Sequence, residues 1–543
     1  MASDDDGIVA PAYDAMTLGR SIFTVGSFTL LSRLVGFVRD IVLSAVLGSG
    51  PIADAFIVAF RLPNFFRRLF AEGAFSAAFV PLFAGELQGE GRESALVFAR
   101  QAHACLLMIL VPFSLLMMLA MPGVIWLLAP GFTDDKSIFD LAVTFGRITF
   151  PYLVFISLAS LYGGVLNGID RFAEVAFTPV LLNLALIGCV LFLTPVLPNA
   201  GYAASIGVAM AGLLQWLWLL FSCWRDGVAM KLVRPRLTEK VRRLVKLATP
   251  VAIGGGALQI STMLDVVWAS LLPAGSIAAL YYADRIAQLP LGVIGIAIGT
   301  ALLPLLARQV RSGAHDSAMA NQNRAIEFGL LFSLPAMAAL WILAEPIIRV
   351  LFEHGRFGPD DTARTAGALA AYALGLPAFM LVKALTPGFF AREDTRTPLY
   401  IALISIALNV GLNAAFIFGT NLAQVGIALA SSLSGWINAL LLAAVLLSRT
   451  HWLPDPRLTS RAWRMALATI GMSGGVAGLL LLLKPALARP DLTGIVALLG
   501  ICALGALTYG GLGAVLGVVK ISEMRFLLRR QPGVRPADPT EQP

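Results

Sequence analysis

Long apolar segments recur along the whole chain, and they limit its fold more than any other feature. Runs of about 18 or more apolar residues between polar, proline or glycine breaks give about 14 segments. A helix that spans a bilayer needs about 20 such residues. Only 13% of the residues are charged, against about 25% in soluble domains. The sequence therefore predicts an all-α polytopic membrane protein with about 14 transmembrane helices.

The basic residues predict how these helices are oriented. An even number of spans places both termini on one side, and the loops and tail of that side hold 25 of the 40 lysine and arginine residues. The loops of the opposite side hold five. Because cytoplasmic loops carry an excess of cations, both termini are predicted to be cytoplasmic. The formal charge of +8 is explained in this way, and no nucleic-acid partner is expected.

An internal repeat predicts two parallel six-helix lobes. The segment ADAFIVAF at 53–60 matches IAALYYAD at 277–284 at an offset near 223 residues, and Asn183 matches Asn409 at 226. Copies with an even number of spans are parallel repeats. In order, the predicted parts are a disordered extension (1–19), an N-lobe (20–224), a basic cytoplasmic loop (225–243), a C-lobe (244–448), two further spans outside the duplication (449–519) and a cytoplasmic tail (520–543).

Charged residues inside predicted spans indicate a site for an anion. An ionised side chain at the centre of a spanning helix costs roughly 2.5–3.5 kcal/mol on insertion scales, so such residues usually face a partner or a water-filled interior. In span 2 they recur at steps of 7, 7 and 4 on one helix face, at Asp54, Arg61, Arg68 and Glu72. The cations of both lobes are Arg33, Arg39, Arg285 and Lys383. Arginine forks bind phosphate oxygens in pairs, so a diphosphate is the predicted ligand.

Two structural interpretations of these charged residues compete with an anion site. Any one of these residues can form an ion pair, as Arg68 and Glu72 are spaced to do, or reach the headgroups from a helix end. Span 1 also places Gly36 between Arg33 and Asp40, where a neighbouring helix can approach closely.

A second, smaller set of polar residues within predicted spans is a candidate cation site. Asn409 and Asn413 lie one turn apart in span 11, and Asp265 is an acid in span 7. Oxygen ligands of this kind suit sodium or a proton. The alternative is hydrogen bonding between helices.

The sequence contains no Gly-Lys dipeptide, hence no Walker A motif, and neither HExxH nor GxSxG. We expect a transporter without a cofactor, driven by an ion gradient or the membrane potential, and not an enzyme.

Four motifs closely resemble the MurJ (MviN) family of bacterial lipid II flippases, in the multidrug/oligosaccharidyl-lipid/polysaccharide exporter (MOP) superfamily. They are SRLVGFVRD (32–40), FRLPNFFRRLFAEGAFSAAFVPLF (60–83), YYADR (281–285) and LVKALTPGFFAREDTRTP (381–398). By motif position, the resemblance implies substrate-binding roles for Arg33, Arg39, Asp54, Arg67, Arg68, Glu72, Arg285 and Lys383. It also implies a sodium site at Asp265, Asn409 and Asn413, and a groove for the prenyl tail along spans 13 and 14.

The resemblance implies a monomeric flippase of the bacterial inner membrane. It would carry lipid II, the prenyl-diphosphate-linked peptidoglycan precursor, to the outer leaflet for cell-wall synthesis by alternating access among membrane lipids. Export of another polyprenyl-linked oligosaccharide or of an amphipathic drug is the alternative with the same fold. A polyprenyl-phosphate glycosyltransferase or ligase is the enzymatic alternative, but it needs a large outer loop, and every predicted outer loop is short.

Overall fold

The computed structural model describes residues 15–68 and 75–518. Over these ranges the regular structure is helical and contains no strand, as the composition predicts. The helices are α1 (Ala15–Leu47), α2 (Pro51–Phe66), α3 (Ser76–Gly89), α4 (Gly91–Leu119), α5 (Met121–Leu128), α6 (Lys136–Thr149), α7 (Tyr152–Gly168), α8 (Phe172–Leu193), α9 (Ala200–Arg225), α10 (Glu239–Ser270), α11 (Ser276–Arg311), α12 (His315–Ile342), α13 (Ala344–Phe352), α14 (Pro359–Ala373), α15 (Leu376–Phe390), α16 (Arg396–Gly419), α17 (Ala423–Ser448), α18 (Pro456–Leu482), α19 (Lys484–Leu487) and α20 (Leu492–Val515).

Ten helical segments within the described residues are long and apolar enough to cross a membrane. They correspond to predicted spans 3–6 and 9–14. Predicted spans 1, 2, 7 and 8 are helical too, as α1, α2 with α3, α10 and α11, but they are not among the ten. These four are the spans in which most of the membrane-depth charges lie. The total of 14 spans stays a prediction.

The chain begins its first helix earlier than the sequence predicts. The extension was expected to reach residue 19, whereas α1 starts at Ala15. Residues 15–19 read AMTLG, and alanine, methionine and leucine favour a helix, which accounts for the difference. Residues 1–14 and the predicted tail from 520 lie outside the described residues.

Contacts divide the chain into two units. Unit 1 comprises Met1–Tyr282 and Phe352–Asp361, and unit 2 comprises Ala283–Leu351 and Thr362–Pro543. The whole of the first predicted lobe therefore lies in unit 1, which also contains α10 and two further short segments of the second repeat.

Aromatic packing forms the core of unit 1. Phe79 stacks on Phe83 and Phe98 with ring centroids 5.7 and 5.5 Å apart, and all three side chains are buried. Helix α7 lies directly against these rings, since a Cβ on Gly168 would stand 2.6 Å from Phe83. Between membrane helices such rings stabilise by close van der Waals packing rather than by removal from water, and this packing holds α3, α4 and α7 together.

The basic linker is fixed to unit 1 by ion pairs. Lys240 pairs with Glu86 and, at 2.7 Å, with Glu90. The hydrogen bond from the Lys240 ammonium lowers the pKa of Glu90 below its usual value. The backbone N–H of Arg236 donates to Gln101 at 3.0 Å. The segment between α9 and α10 is thus held against α3 and α4.

In unit 2, buried charges attach α18 to α12. Glu327 is 7% exposed and accepts a hydrogen bond from Arg461, which is 8% exposed. Arg457 lies 3.4 Å from the same carboxylate. Asn323 in α12 accepts from the Trp452 indole at 2.6 Å, just before α18 begins. Removal of one partner from a buried pair costs about 3–5 kcal/mol, so this end of α18 is firmly anchored.

A proline frees a backbone carbonyl that α20 uses. Pro335 in α12 has no N–H, so the carbonyl of Leu331, four residues earlier, loses its helical partner. The Tyr509 hydroxyl of α20 donates to this carbonyl at 2.9 Å. An unsatisfied backbone group in hydrocarbon costs several kcal/mol, and the contact removes that cost while holding α20 to α12.

We predict that Tyr509→Phe lowers the stability of the purified protein by about 1–3 kcal/mol, because it leaves the Leu331 carbonyl without its donor. Thr508→Val is the matched control: its hydroxyl bonds to Leu504 of its own helix at 2.8 Å. Thermal unfolding in detergent should show a clear loss for Tyr509→Phe and little for Thr508→Val. Equal melting temperatures for the two variants would contradict the assigned role of Tyr509.

Candidate functional site

Arg39 is buried in unit 1 with its charge fully engaged. Its guanidinium pairs with Asp40 at 2.7 Å and donates to the Asn183 amide oxygen at 2.9 Å. The Tyr281 hydroxyl donates to Asp40 at 3.4 Å. Arg39 is 8% exposed and Asp40 is 4% exposed. A predicted substrate cation is therefore part of an internal network that joins α1, α8 and α11.

The network depends on a close approach of α8 to α1. The Asn183 amide donates to the Ser32 carbonyl at 3.1 Å. A Cβ on Gly36 would stand 3.2 Å from the same amide nitrogen, which confirms the close approach predicted at Gly36. Sequence reasoning used Asn183 only as a marker of the repeat. Its polarity within an apolar span, and its match with Asn409, could have identified it as a site residue.

Arg33 and Lys383 differ from Arg39 because, within the described residues, their charged groups have no intramolecular partner; we call them uncommitted cations. Arg33 lies on α1 in unit 1, and Lys383 lies on α15 in unit 2; both are exposed. Within the described part of the chain, neither side chain makes an ion pair or hydrogen bond. Burial and pairing therefore do not account for these two cations. Of the predicted substrate-binding cations in the described residues, they are the most available to an external anion.

Asp54 is held at the N-terminus of α11. Its two carboxylate oxygens accept the backbone N–H groups of Gly275, at 2.6 Å, and Ala278, at 2.7 Å. The Ser49 hydroxyl donates to the Gly275 carbonyl at 2.9 Å. A carboxylate at this position satisfies two orphan N–H groups and complements the positive end of the helix dipole. Asp54 is only 2% exposed, so in this state its carboxylate is occupied by hydrogen bonds from backbone N–H groups.

The loop before α14 closes on the end of α1 in the same unit. The Arg356 N–H donates to the Ala45 carbonyl at 2.8 Å. Gly355 has φ +61°, and a Cβ there would stand 2.3 Å from that carbonyl oxygen, so only glycine fits. Tyr282 packs its ring against Phe352 and Phe357 at 5.4 and 5.8 Å. Together with Asp54, these contacts join two segments of the second repeat to α1 and α2.

The charged face of span 2 lies only partly within the described residues. The span was predicted over 52–83; it is helical as α2 up to Phe66 and again as α3 from Ser76, and residues 69–74 lie outside the described residues. Arg67 and Arg68 continue α2 as a π-helical turn, and the Arg67 side chain donates to Asn64 at 3.2 Å. Glu72 lies outside the described residues. Pro63 lies inside α2, where it removes one helical hydrogen bond.

The candidate cation ligands lie in both units. Asn413 is fully buried and donates to the Asn409 oxygen at 3.1 Å, and Asn409 lies 3.5 Å from the Ser431 hydroxyl. These two belong to unit 2, whereas Asp265 lies on α10 in unit 1. Among the residues that the structure describes, no group of three or more His, Cys, Asp or Glu side chains could hold a metal ion. Arg285, the remaining predicted cation, is half-buried on α11.

A comparison with protein families decides where this fold belongs. The family model described as lipid II flippase MurJ matches residues 43–496, which include Asp54, Arg285 and Lys383. The chain belongs to the MurJ family. It is accordingly a multi-pass membrane protein and a transporter.

Two bacterial relatives match nearly the whole of this MurJ-family chain. A probable lipid II flippase MurJ from Rhizobium meliloti (strain 1021) is 45% identical, over 95% of this chain and 97% of its own length. One from Rhizobium tropici is 42% identical, over 96% and 98%.

Solved structures agree with the family assignment. A structure titled "Lipid II flippase MurJ, inward closed conformation" matches with a TM-score of 0.74 and 26% identity, covering 93% of this chain and 99% of that one. An inward-facing multidrug transporter of the MATE family in the MOP superfamily matches with a TM-score of 0.66, covering 79% of this chain and 97% of that one. Its 15% identity supports a shared fold alone.

We predict that Asp54→Asn loosens the contact with α11. An amide offers one acceptor oxygen where the carboxylate offers two, and it loses the charge that the helix dipole favours. A cysteine in place of Ser276, which is 2% exposed, should then react about tenfold faster with a thiol reagent in purified protein that lacks the native cysteines.

The matched control for this measurement is Asp140→Asn, since Asp140 is exposed and should leave the rate unchanged. Equal rates for Asp54→Asn and the parent would show that the carboxylate does not hold α11 in place.

Proposed function

We propose that this MurJ-family chain is a lipid II flippase, which moves the precursor from the inner to the outer leaflet of the cytoplasmic membrane. The disaccharide-pentapeptide and diphosphate cannot enter hydrocarbon unaided, whereas the prenyl chain can remain in lipid. The relatives named as lipid II flippases support this substrate at up to 45% identity.

The two uncommitted cations support the proposal most directly. Arg39 is neutralised by Asp40, while Arg33 and Lys383 are exposed and have no intramolecular partner in the described residues. A diphosphate offers these cations strong, charge-assisted hydrogen bonds. We therefore infer that Arg33 and Lys383 make the primary diphosphate contacts. Arg67, Arg68, Glu72 and Arg285 remain proposed substrate-binding residues, by motif position.

For Asp54 and Arg39 we propose a structural role instead of direct contact with the diphosphate. Both are buried in contacts within unit 1. For alternating access, contacts on the closed side must break and reform as the transporter changes state. We propose that Asp54 and the contact of Gly355 with Ala45 hold the outer side closed, since the 25-to-5 cation distribution favours cytoplasmic termini.

For energy coupling we propose a monovalent cation or a proton at Asp265, Asn409 and Asn413. By the sequence repeat, Asp265 corresponds to Asp40 at an offset of 225 and Asn409 corresponds to Asn183 at 226. At the position that corresponds to Arg39, the second repeat has Leu264. A bound cation would supply the positive charge that Arg39 supplies in unit 1.

The flippase proposal is tested by depleting the protein in its host and adding a lipid II-cleaving toxin outside the cells. Depletion should make lipid II inaccessible to the toxin, because the precursor would stay in the inner leaflet. Restoring the parent chain should restore cleavage. If lipid II stays fully accessible after depletion, the chain moves a different substrate.

We predict that Asp265→Asn impairs transport while lipid II binding to purified protein stays within a few-fold of the parent. A coupling ion shifts a two-state equilibrium only through its differential affinity for the two states. The measurement is the sodium and pH dependence of thiol labelling at a cysteine introduced at Ser276, in the parent and in Asp265→Asn.

The parent should respond to one of the two ions, and Asp265→Asn should not. If the parent responds to neither ion, or if both proteins respond alike, Asp265 is structural and the coupling lies elsewhere or in the membrane potential alone.

A further inference from the structure

The side chain of Lys383 lies directly across helix α11 at Gly295. A Cβ built on Gly295 would stand 2.5 Å from Lys383 Cδ, 2.9 Å from Cε and 3.6 Å from Nζ. Real Cβ atoms do not approach another carbon as closely as the first two of these distances. Gly295 and Lys383 both belong to unit 2. The methylene stem of the lysine therefore occupies space that any other residue at position 295 would fill.

Glycine at this position has a cost that requires a reason. A helix with glycine in its interior is less stable than one with alanine, because glycine loses more backbone freedom on folding. Gly299, one turn later on the same helix, has no atom within 4 Å of its built Cβ. At position 299 the available space would accept a side chain, whereas at position 295 the lysine stem excludes one.

The contact fixes a side chain whose charged end has no intramolecular partner. Lys383 is exposed, and within the described residues no ion pair or hydrogen bond orients its ammonium. A free lysine side chain samples many rotamers, and binding a ligand has to restrict them. Contact of the stem with the backbone of α11 restricts them before the ligand arrives, which favours binding.

We propose that Gly295 is a positioning residue, which lets the Lys383 stem lie on α11 and so directs the ammonium toward the substrate diphosphate. This inference rests on the proposed diphosphate contact of Lys383. It assigns to Gly295 a part in substrate affinity that acts through the lysine and not through the fold.

The test uses the full-length protein in nanodiscs and measures lipid II affinity and melting temperature for Gly295→Ala, Gly299→Ala, Lys383→Ala and Gly295→Ala with Lys383→Ala. Gly295→Ala should weaken lipid II binding by roughly five- to tenfold, because the displaced ammonium loses part of a charge-assisted hydrogen bond. Its melting temperature should stay close to that of the parent, since the atoms that must move belong to a flexible side chain. Gly299→Ala should bind within twofold of the parent.

The double variant separates positioning from packing. If Gly295 acts through Lys383, Gly295→Ala should have no further effect on affinity once Lys383 is alanine. An equal loss in both backgrounds, or an unchanged affinity for Gly295→Ala beside a weakened Lys383→Ala, overturns the positioning role and leaves the diphosphate contact standing. An unchanged affinity for Lys383→Ala itself overturns both.

Gly295→Ser is the second variant, in case Gly295→Ala does not reach the membrane. It adds a Cβ at the same position, and the same outcomes apply to it.

Discussion

A polar group buried within hydrocarbon is costly unless it has a partner inside the protein, and several contacts between distant segments of this chain follow from that cost. Arg39 is paired with Asp40 and Asn183. The Leu331 carbonyl, freed by a proline, accepts the Tyr509 hydroxyl. These contacts determine which helices pack together, because each one joins segments that are distant in the sequence.

The same cost separates cations that stabilise the fold from cations that are available to a ligand. The sequence placed Arg33, Arg39 and Lys383 in one class, since all three lie within predicted spans. The structure assigns Arg39 to a buried network, whereas Arg33 and Lys383 are exposed and have no partner in the described residues. The proposed transport cycle uses both kinds: we propose that buried pairs hold one state closed and that the exposed cations bind the substrate's diphosphate.

The sequence predicted the parts of the fold that depend on local pattern. Apolar length identified the helices, and Gly36 indicated the close approach that Asn183 makes. It did not predict the π-helical turn at Arg67 and Arg68, because regular apolar spacing does not distinguish an α-helical from a π-helical turn. The partners of Asp54 were also missed, because the Gly275 amide lies 221 residues further along the chain and a backbone group leaves no signal in a sequence. Gly295 was missed for the same reason, since its importance depends on a lysine of another helix.

We propose that a cation at membrane depth without an intramolecular partner recognises the diphosphate. This proposal is tested most directly by lipid II affinity in nanodiscs for Arg33→Gln beside Arg242→Gln, which removes an exposed cation near the start of α10. Loss of one charge-assisted contact should lower the affinity of Arg33→Gln by about tenfold or more, and Arg242→Gln should stay within twofold of the parent. An Arg33→Gln protein that binds lipid II as tightly as Arg242→Gln would contradict recognition of the diphosphate by Arg33.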